Sequence, residues 1–157
     1  MPGRILIARP NRKRVHDAAV FYVAAELSRR HLRVEEWLPR DTNADLRVTT
    51  RKGNAVVLRV KGKSSADWQG QIDLDKLEGS PGAPRFVVFV DMDPRTAAVP
   101  AYWIAPEKWV LSDITRHHKA YLARNKGRRP RSPRATQHTI SFDRLRQWRD
   151  RWELFDV

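Results

Sequence analysis

Cysteine is absent from this 157-residue chain. Disulfides, thiolate nucleophiles and cysteine–zinc sites are thereby excluded. Long apolar runs are absent as well: none approaches the ~20 residues that a membrane-spanning helix needs, so no membrane partner is expected. The first ten residues hold a single apolar stretch of four, Ile5-Leu6-Ile7-Ala8. They lack the longer apolar region and small-residue cleavage site of a secretory signal, and the expected compartment is the cytoplasm. No internal repeat is visible. There is no glycine-rich phosphate loop, since Lys61-Gly62-Lys63-Ser64 is too short to form one. Acidic side chains are few beside basic ones, 18 against 31, which leaves a formal charge of +13.

What remains is a globular composition. Apolar residues make up 41% and charged residues 31%, too apolar for a disordered chain and too charged for a membrane protein. A domain of this length buries roughly 70% of its unfolded surface, enough for one sizeable core. The positive charge is concentrated. Between Arg116 and Arg151 there are 12 basic and 2 acidic residues, a net of +10, whereas the other 121 positions carry only +3. Such a field favours a polyanion, most simply nucleic acid, with an acidic protein as the alternative partner. At the centre of this segment, Lys126 to Arg134 is poor in apolar residues and holds two prolines, which predicts an exposed loop. Arg124, Lys126, Arg128, Arg129, Arg131 and Arg134 are the candidate phosphate contacts there, and Lys63 joins them from the body of the chain.

Periodicity orders the elements. Val15, Ala18, Ala19, Tyr22, Val23, Ala25 and Leu27 recur at helical spacing and predict a helix from about Arg14 to His31, with Asp17 in its first turn. Short strands are expected at 33–38, 45–50, 55–61, 85–91 and 101–104, and Arg51-Lys52-Gly53-Asn54 reads as a hairpin turn. The 85–91 run is apolar on both faces, the mark of a strand covered on both sides. Further helices are expected from about Asp67 to Leu77, from Pro106 through Trp109, and from Ser141 onward, the last presenting Leu145, Trp148 and Trp152 on one face. The pattern is α/β, with a central mixed β-sheet flanked by helices and a C-terminal helical extension. It divides into a basic N-terminal arm at 1–13, an α/β core at 14–110, and a basic loop with C-terminal helices at 111–157 packed on the same domain.

One constellation could carry chemistry. Glu26 lies in the first long helix, Asp45 opens the second strand, and Lys61 ends the third with Arg59 two positions before it. Residues two apart on a strand share a face, so Arg59 and Lys61 project together. The hairpin brings Asp45 near them. In order and spacing these elements resemble the PD-(D/E)XK nuclease superfamily, the restriction-endonuclease-like αβββαβ core, and its small uncharacterised bacterial members. The resemblance rests on Glu26 in Ala24-Ala25-Glu26-Leu27, Asp45 in Asn43-Ala44-Asp45-Leu46 and Lys61 in Arg59-Val60-Lys61. It extends to the Tyr102-Trp103-Ile104 strand, Pro106-Glu107-Lys108 and the Trp-rich C-terminus, and covers roughly residues 14–155.

The resemblance implies a metal-dependent endonuclease acting on DNA. Asp45, with Glu26, would hold Mg²⁺, which demands oxygen ligands. The metal would acidify a water, and Lys61 would orient it or stabilise charge on the phosphorane. It also implies a homodimer, since relatives that cut both strands pair two-fold. Arg59 is the departure. The family places an acid there, a second oxygen ligand, whereas a guanidinium has no acceptor and repels the ion. Mg²⁺ is then lost unless Glu35 or Glu36 supplies a carboxylate, and Arg59 contacts a phosphate instead. Two alternatives to a nuclease follow: a catalytically degenerate DNA-binding module on the same fold, or a basic interaction protein. Elsewhere the signals are weaker. His117 and His118 cannot share one helical face, His138 lies in a loop-like context, and Ser64 and Ser65 lack a base. Trp148 and Trp152 are expected to pack inward, and Trp68 is the tryptophan placed to meet a ligand.

Overall fold

A computed structural model of the chain describes residues 11–36, 44–65, 67–71, 83–125 and 137–156. Helix α1 spans Arg12–Arg29 and begins earlier than the periodicity predicts, because the Asn11 side chain caps it by accepting from the Lys13 amide at 3.0 Å. Asp17 is consequently past the first turn. The helix stops in a left-handed residue, His31, with φ 64°. The His31 amide bonds the Ser28 carbonyl and the Leu32 amide that of Leu27, the paired bonds of a Schellman ending.

Strands β1 (Arg33–Glu35), β2 (Leu46–Thr49), β3 (Ala55–Lys63), β5 (Arg85–Asp91) and β6 (Ala101–Pro106) form a mixed sheet in the order β1-β2-β3-β5-β6. All neighbours are antiparallel except β3 and β5. A parallel pair needs a crossover, here residues 64–84. That crossover contains a correction. Where a helix was expected from Asp67, the chain instead forms strand β4 (Trp68–Gln71), which pairs antiparallel with β7 (Gln137–Ile140) as a separate two-stranded sheet. Trp68-Gln69-Gly70-Gln71 carries no helical stripe, and Trp68 gains more by burial in the aromatic core than by a turn of helix. Residues 72–82 lie outside the described residues.

The sheet has two covered faces. Leu46, Val48, Val56, Leu58, Val60, Val88, Val90 and Ile104 pack against Ala19, Val23 and Leu27 of α1. Each such Val, Leu or Ile side chain, fully buried, contributes about 1.5–3 kcal/mol. At Gly62 the helix and sheet meet so closely that an added Cβ would stand 2.5 Å from the Ala19 Cβ. The other face, over β5 and β6, is covered by α2 (Glu107–Arg124) and by the small sheet, through Val87, Phe89, Trp103, Ala105, Val110, Ile114 and Ile140. Strand β5 is buried on both sides from Phe86 to Asp91, as its unbroken apolar run predicts.

The C-terminal region departs from expectation twice. Helix α2 runs on to Arg124 instead of ending at Trp109, because Val110, Leu111 and Ile114 keep its inner face apolar. The helix expected after Ser141 is only α3 (Phe142–Leu145), followed by 3₁₀ turns at Arg146–Trp148 and Trp152–Phe155. Asp150, at φ 51°, breaks it. Trp148 therefore stacks edge-on with Trp109, while Trp152 joins Tyr102 and Phe155 in the opposite core.

Candidate functional site at the β2–β3 hairpin

The register of the hairpin determines the site. Leu46 pairs with Leu58, so Asp45, one residue earlier, stands at the level of Arg59 and Val60. The ladder loosens there, and the Asp45 side chain continues it: Oδ2 accepts from the Val60 amide at 2.7 Å. Oδ1 lies 3.0 Å from Nε2 of His16 on α1. Burial by itself would raise the Asp45 pKa, but the hydrogen bonds to His16 and the Val60 amide outweigh it and hold the carboxyl below its ordinary 3.8. The same hydrogen bond raises the His16 pKa above 6.5. His16 was not singled out from the sequence, although it lies three, seven and eleven positions before Ala19, Val23 and Leu27 and so shares their face of α1.

Arg59 and Lys61 project from β3 on the side opposite α1, where they line a small cavity of about 20 Å³ with Val87, Phe89, Glu107, Val110, Leu111 and Ile140. Burial lowers the Lys61 pKa from 10.5, the neighbouring Arg59 charge lowers it further, and Asp45 partly restores it. The two cations are unusual here. Among the described residues, the lysines and arginines that are not fully exposed are Arg30, Arg59, Lys61, Lys63, Arg85, Arg144 and Arg151. Five of these pair with a carboxylate: Glu26, Asp91, Glu107, Asp113 and Glu153 in turn. No carboxylate among the described residues lies within salt-bridge distance of Arg59 or Lys61.

The other residues singled out from the sequence are placed elsewhere. Glu26 is ten residues along α1 from His16, about 15 Å of helix, and is not brought to Asp45. It binds Arg29 at 2.7 Å and Arg30 at 3.0 Å, and the Arg29 hydrogen bond lowers its pKa. Its charge, added to burial, pushes the Tyr102 phenol up to about 12. Glu35 is on β1, two strands or about 10 Å from Arg59, and reaches Arg33 at 3.9 Å. Glu36 is exposed just beyond β1. Lys63 is a correction: a surface phosphate contact was expected, but the residue is only 6% exposed. Strand β3 continues two residues past Lys61 and carries Lys63 beneath Phe142 and Trp68, with its ammonium 3.9 and 4.8 Å from their ring centres and 3.5 Å from Asp91 Oδ1. Trp68 is likewise interior, 1% exposed, with its indole N–H donating to the Val90 carbonyl, and it meets no solvent-borne ligand. Arg124 is exposed on the last turn of α2. Lys126, Arg128, Arg129, Arg131 and Arg134 lie outside the described residues.

The resemblance implies a metal, and the donor set can be tested against one. Asp45 already serves two hydrogen bonds, its neighbours Arg59 and Lys61 are cationic, and the described residues bring it no second carboxylate. No group of three or more acidic or histidine side chains among the described residues could hold a metal ion. These residues do not fit Mg²⁺, which asks for carboxylate and water oxygens in an octahedron.

No protein-family model matches the chain. No curated protein is significantly similar to it. Among solved structures it is similar to a bacterial homing endonuclease, I-Ssp6803I, with a TM-score of 0.54 and 12% identity over 94% of each chain. The chain therefore shares the fold of that endonuclease. Among the described residues no helix is long and apolar enough to cross a membrane.

Proposed function

We propose that this chain is a DNA-binding protein on an endonuclease-like fold, and that Arg59 and Lys61 grip a backbone phosphate where a PD-(D/E)XK enzyme would hold its metal. The observation that carries the reading is that these two half-buried cations have no carboxylate within salt-bridge distance among the described residues. Two like charges side by side are unfavourable on their own, and a phosphate between them reverses the sign of the interaction. A guanidinium can contact two phosphate oxygens at once, and an ammonium adds a point charge. Asp45 then serves as a positioning residue: it closes the edge of the β2–β3 ladder and holds His16 of α1. The similarity to a homing endonuclease and the +10 segment support a DNA partner.

The test is a binding titration on a short DNA duplex over a range of salt, in EDTA and in Mg²⁺. The expected result is metal-independent binding whose log K falls steeply with log salt, about 0.9 per phosphate neutralised. The Arg59→Ala, Lys61→Ala double variant should lose about one phosphate's worth of that slope. Asp45→Asn keeps an acceptor for Val60 and should bind as wild type does. Mg²⁺-dependent cleavage of the duplex, abolished by Asp45→Asn, would overturn this reading in favour of a metal-dependent phosphodiesterase.

A further inference from the structure

We propose that the face of β1, β2 and the start of β3 that the described residues leave uncovered is the platform on which duplex DNA lies, with Arg47 at its centre; this rests on the DNA-binding reading above. The face follows from alternation. The side carrying Leu46, Val48, Val56, Leu58 and Val60 is closed by α1. The opposite side is closed over β5 and β6 by α2 and the small sheet, but Arg33, Glu35 and Arg47 on β1 and β2 are exposed there. Register aligns them: Arg33 stands opposite Thr49, Glu35 opposite Arg47, and Arg47 opposite Val57. Arg59 and Lys61 continue the same face along β3.

A solvated sheet face is ordinarily polar with charges of both signs. Among the described residues this one holds Arg33, Arg47, Arg59 and Lys61 against Glu35, which Arg33 approaches at 3.9 Å, and Glu107, which lines the cavity beside Arg59 and Lys61 but is paired with Arg85. The imbalance suits a polyanion, and the shape selects among polyanions. Three strands span about 10 Å between the outer two, which matches the ~12 Å major groove of B-form DNA. The major groove of A-form RNA is too deep and narrow to admit such a surface. Thr49 and Val57 provide a low floor, so the long arginines stand above it. The phosphate grip at Arg59 and Lys61 lies at the border of the platform, where backbone beside a seated groove would pass.

The test compares the affinity of Arg47→Ala and Arg47→Glu proteins for a DNA duplex with that of wild type, with Arg29→Ala on the α1 side as control. Arg47 is exposed and makes no internal ion pair among the described residues, so both variants should fold, which circular dichroism checks. Arg47→Glu should weaken binding by about tenfold or more, and Arg47→Ala should flatten the salt slope by about one phosphate. Arg29→Ala should match wild type. If wild type binds duplex with a steep salt slope but Arg47→Glu stays within about twofold of it, the platform assignment is wrong while the DNA-binding reading stands. If wild type shows no salt-sensitive binding, that reading fails and the platform with it. Tighter binding to double-stranded RNA than to DNA of the same sequence would also overturn the assignment.

Discussion

Lys63 and Asp91 are a buried ion pair, 6% and 3% exposed, and breaking it from one side should be among the costliest single changes in the fold. At the observed 3.5 Å the attraction is worth about 5 kcal/mol at an effective dielectric of 20. Taking two ions out of water costs several kcal/mol each, so the intact pair contributes little net stability. Removing one partner is different, because the other ion stays buried without compensation. Asp91 Oδ1 also accepts from the Asp93 amide, while Oδ2 has no hydrogen-bond partner among the described residues, so little else would satisfy the carboxylate. Lys63→Met fills the same space under Phe142 and Trp68 but orphans Asp91, and should cost about 3–5 kcal/mol. In a chain of this size that lowers Tm by roughly 10 °C. Asp91→Asn keeps the bond to Asp93 and strands the ammonium over two rings, whose cation–π attraction offsets part of the loss. The double variant should be more stable than the sum of the singles implies, by about 1–3 kcal/mol. Urea unfolding of all four proteins provides the cycle. A Lys63→Met protein as stable as wild type would refute the reasoning, as would additive single effects.

Two further outcomes follow from packing and from titration. Gly62→Ala should destabilise by about 1–3 kcal/mol in urea unfolding, since the new methyl meets the Ala19 side chain at 2.5 Å and the Val15 carbonyl at 3.1 Å; Ala19→Gly in the same chain should recover part of the loss, and no recovery would assign it to strand propensity. The folded His16 pKa lies above 6.5, so the stability it contributes is complete below 6.5 and is lost as pH rises through the folded value. His16→Gln should flatten the stability profile in that window by up to about 1 kcal/mol, the partial exposure of the pair limiting the effect, and an unchanged profile would place the imidazole outside the linkage.

Much of the frame was legible because local pattern and tertiary demand agree. The inner stripe of α1, the alternation of β2 and β3 and the unbroken apolar run of β5 each report the face they bury. Failures came where one segment had two readings. The stretch at Trp68 is too short to show a period, and only its pairing with β7 makes it a strand. Asp150 gives no sequence sign of a positive φ, so Trp148 and Trp152 looked like neighbours on a helix that does not form. At the site, hairpin register was enough to bring Asp45 level with Arg59 and Val60, although its carboxylate turns to His16 of α1. Helical periodicity fixes face only. It could not say that Glu26 stands about 15 Å along the axis from the residue that meets Asp45. Lys63 was misplaced because β3 runs two residues further than its apolar alternation shows.

A fold places side chains, and the chemistry depends on which side chains they are. In the proposed reading the hairpin brings Asp45 level with Arg59, and an arginine where the resembled family has an acid changes what such a site attracts. Asp45, an acid and Lys61 would sum to a formal −1, a site that attracts a cation; Asp45, Arg59 and Lys61 sum to +1, a site that attracts an anion. The change is two charges within one hairpin, and His16, with its raised pKa, adds to the positive side as pH falls. The rest of the structure bears on the choice. Among the described residues Arg30, Lys63, Arg85, Arg144 and Arg151, the other sheltered cations, each pair with a carboxylate. Arg59 and Lys61, which have no such partner among the described residues and stand at the border of a face carrying Arg33 and Arg47, suit an anion arriving from outside, and in the proposed reading the phosphate backbone of DNA is the anion whose repeat lets a row of such cations act together.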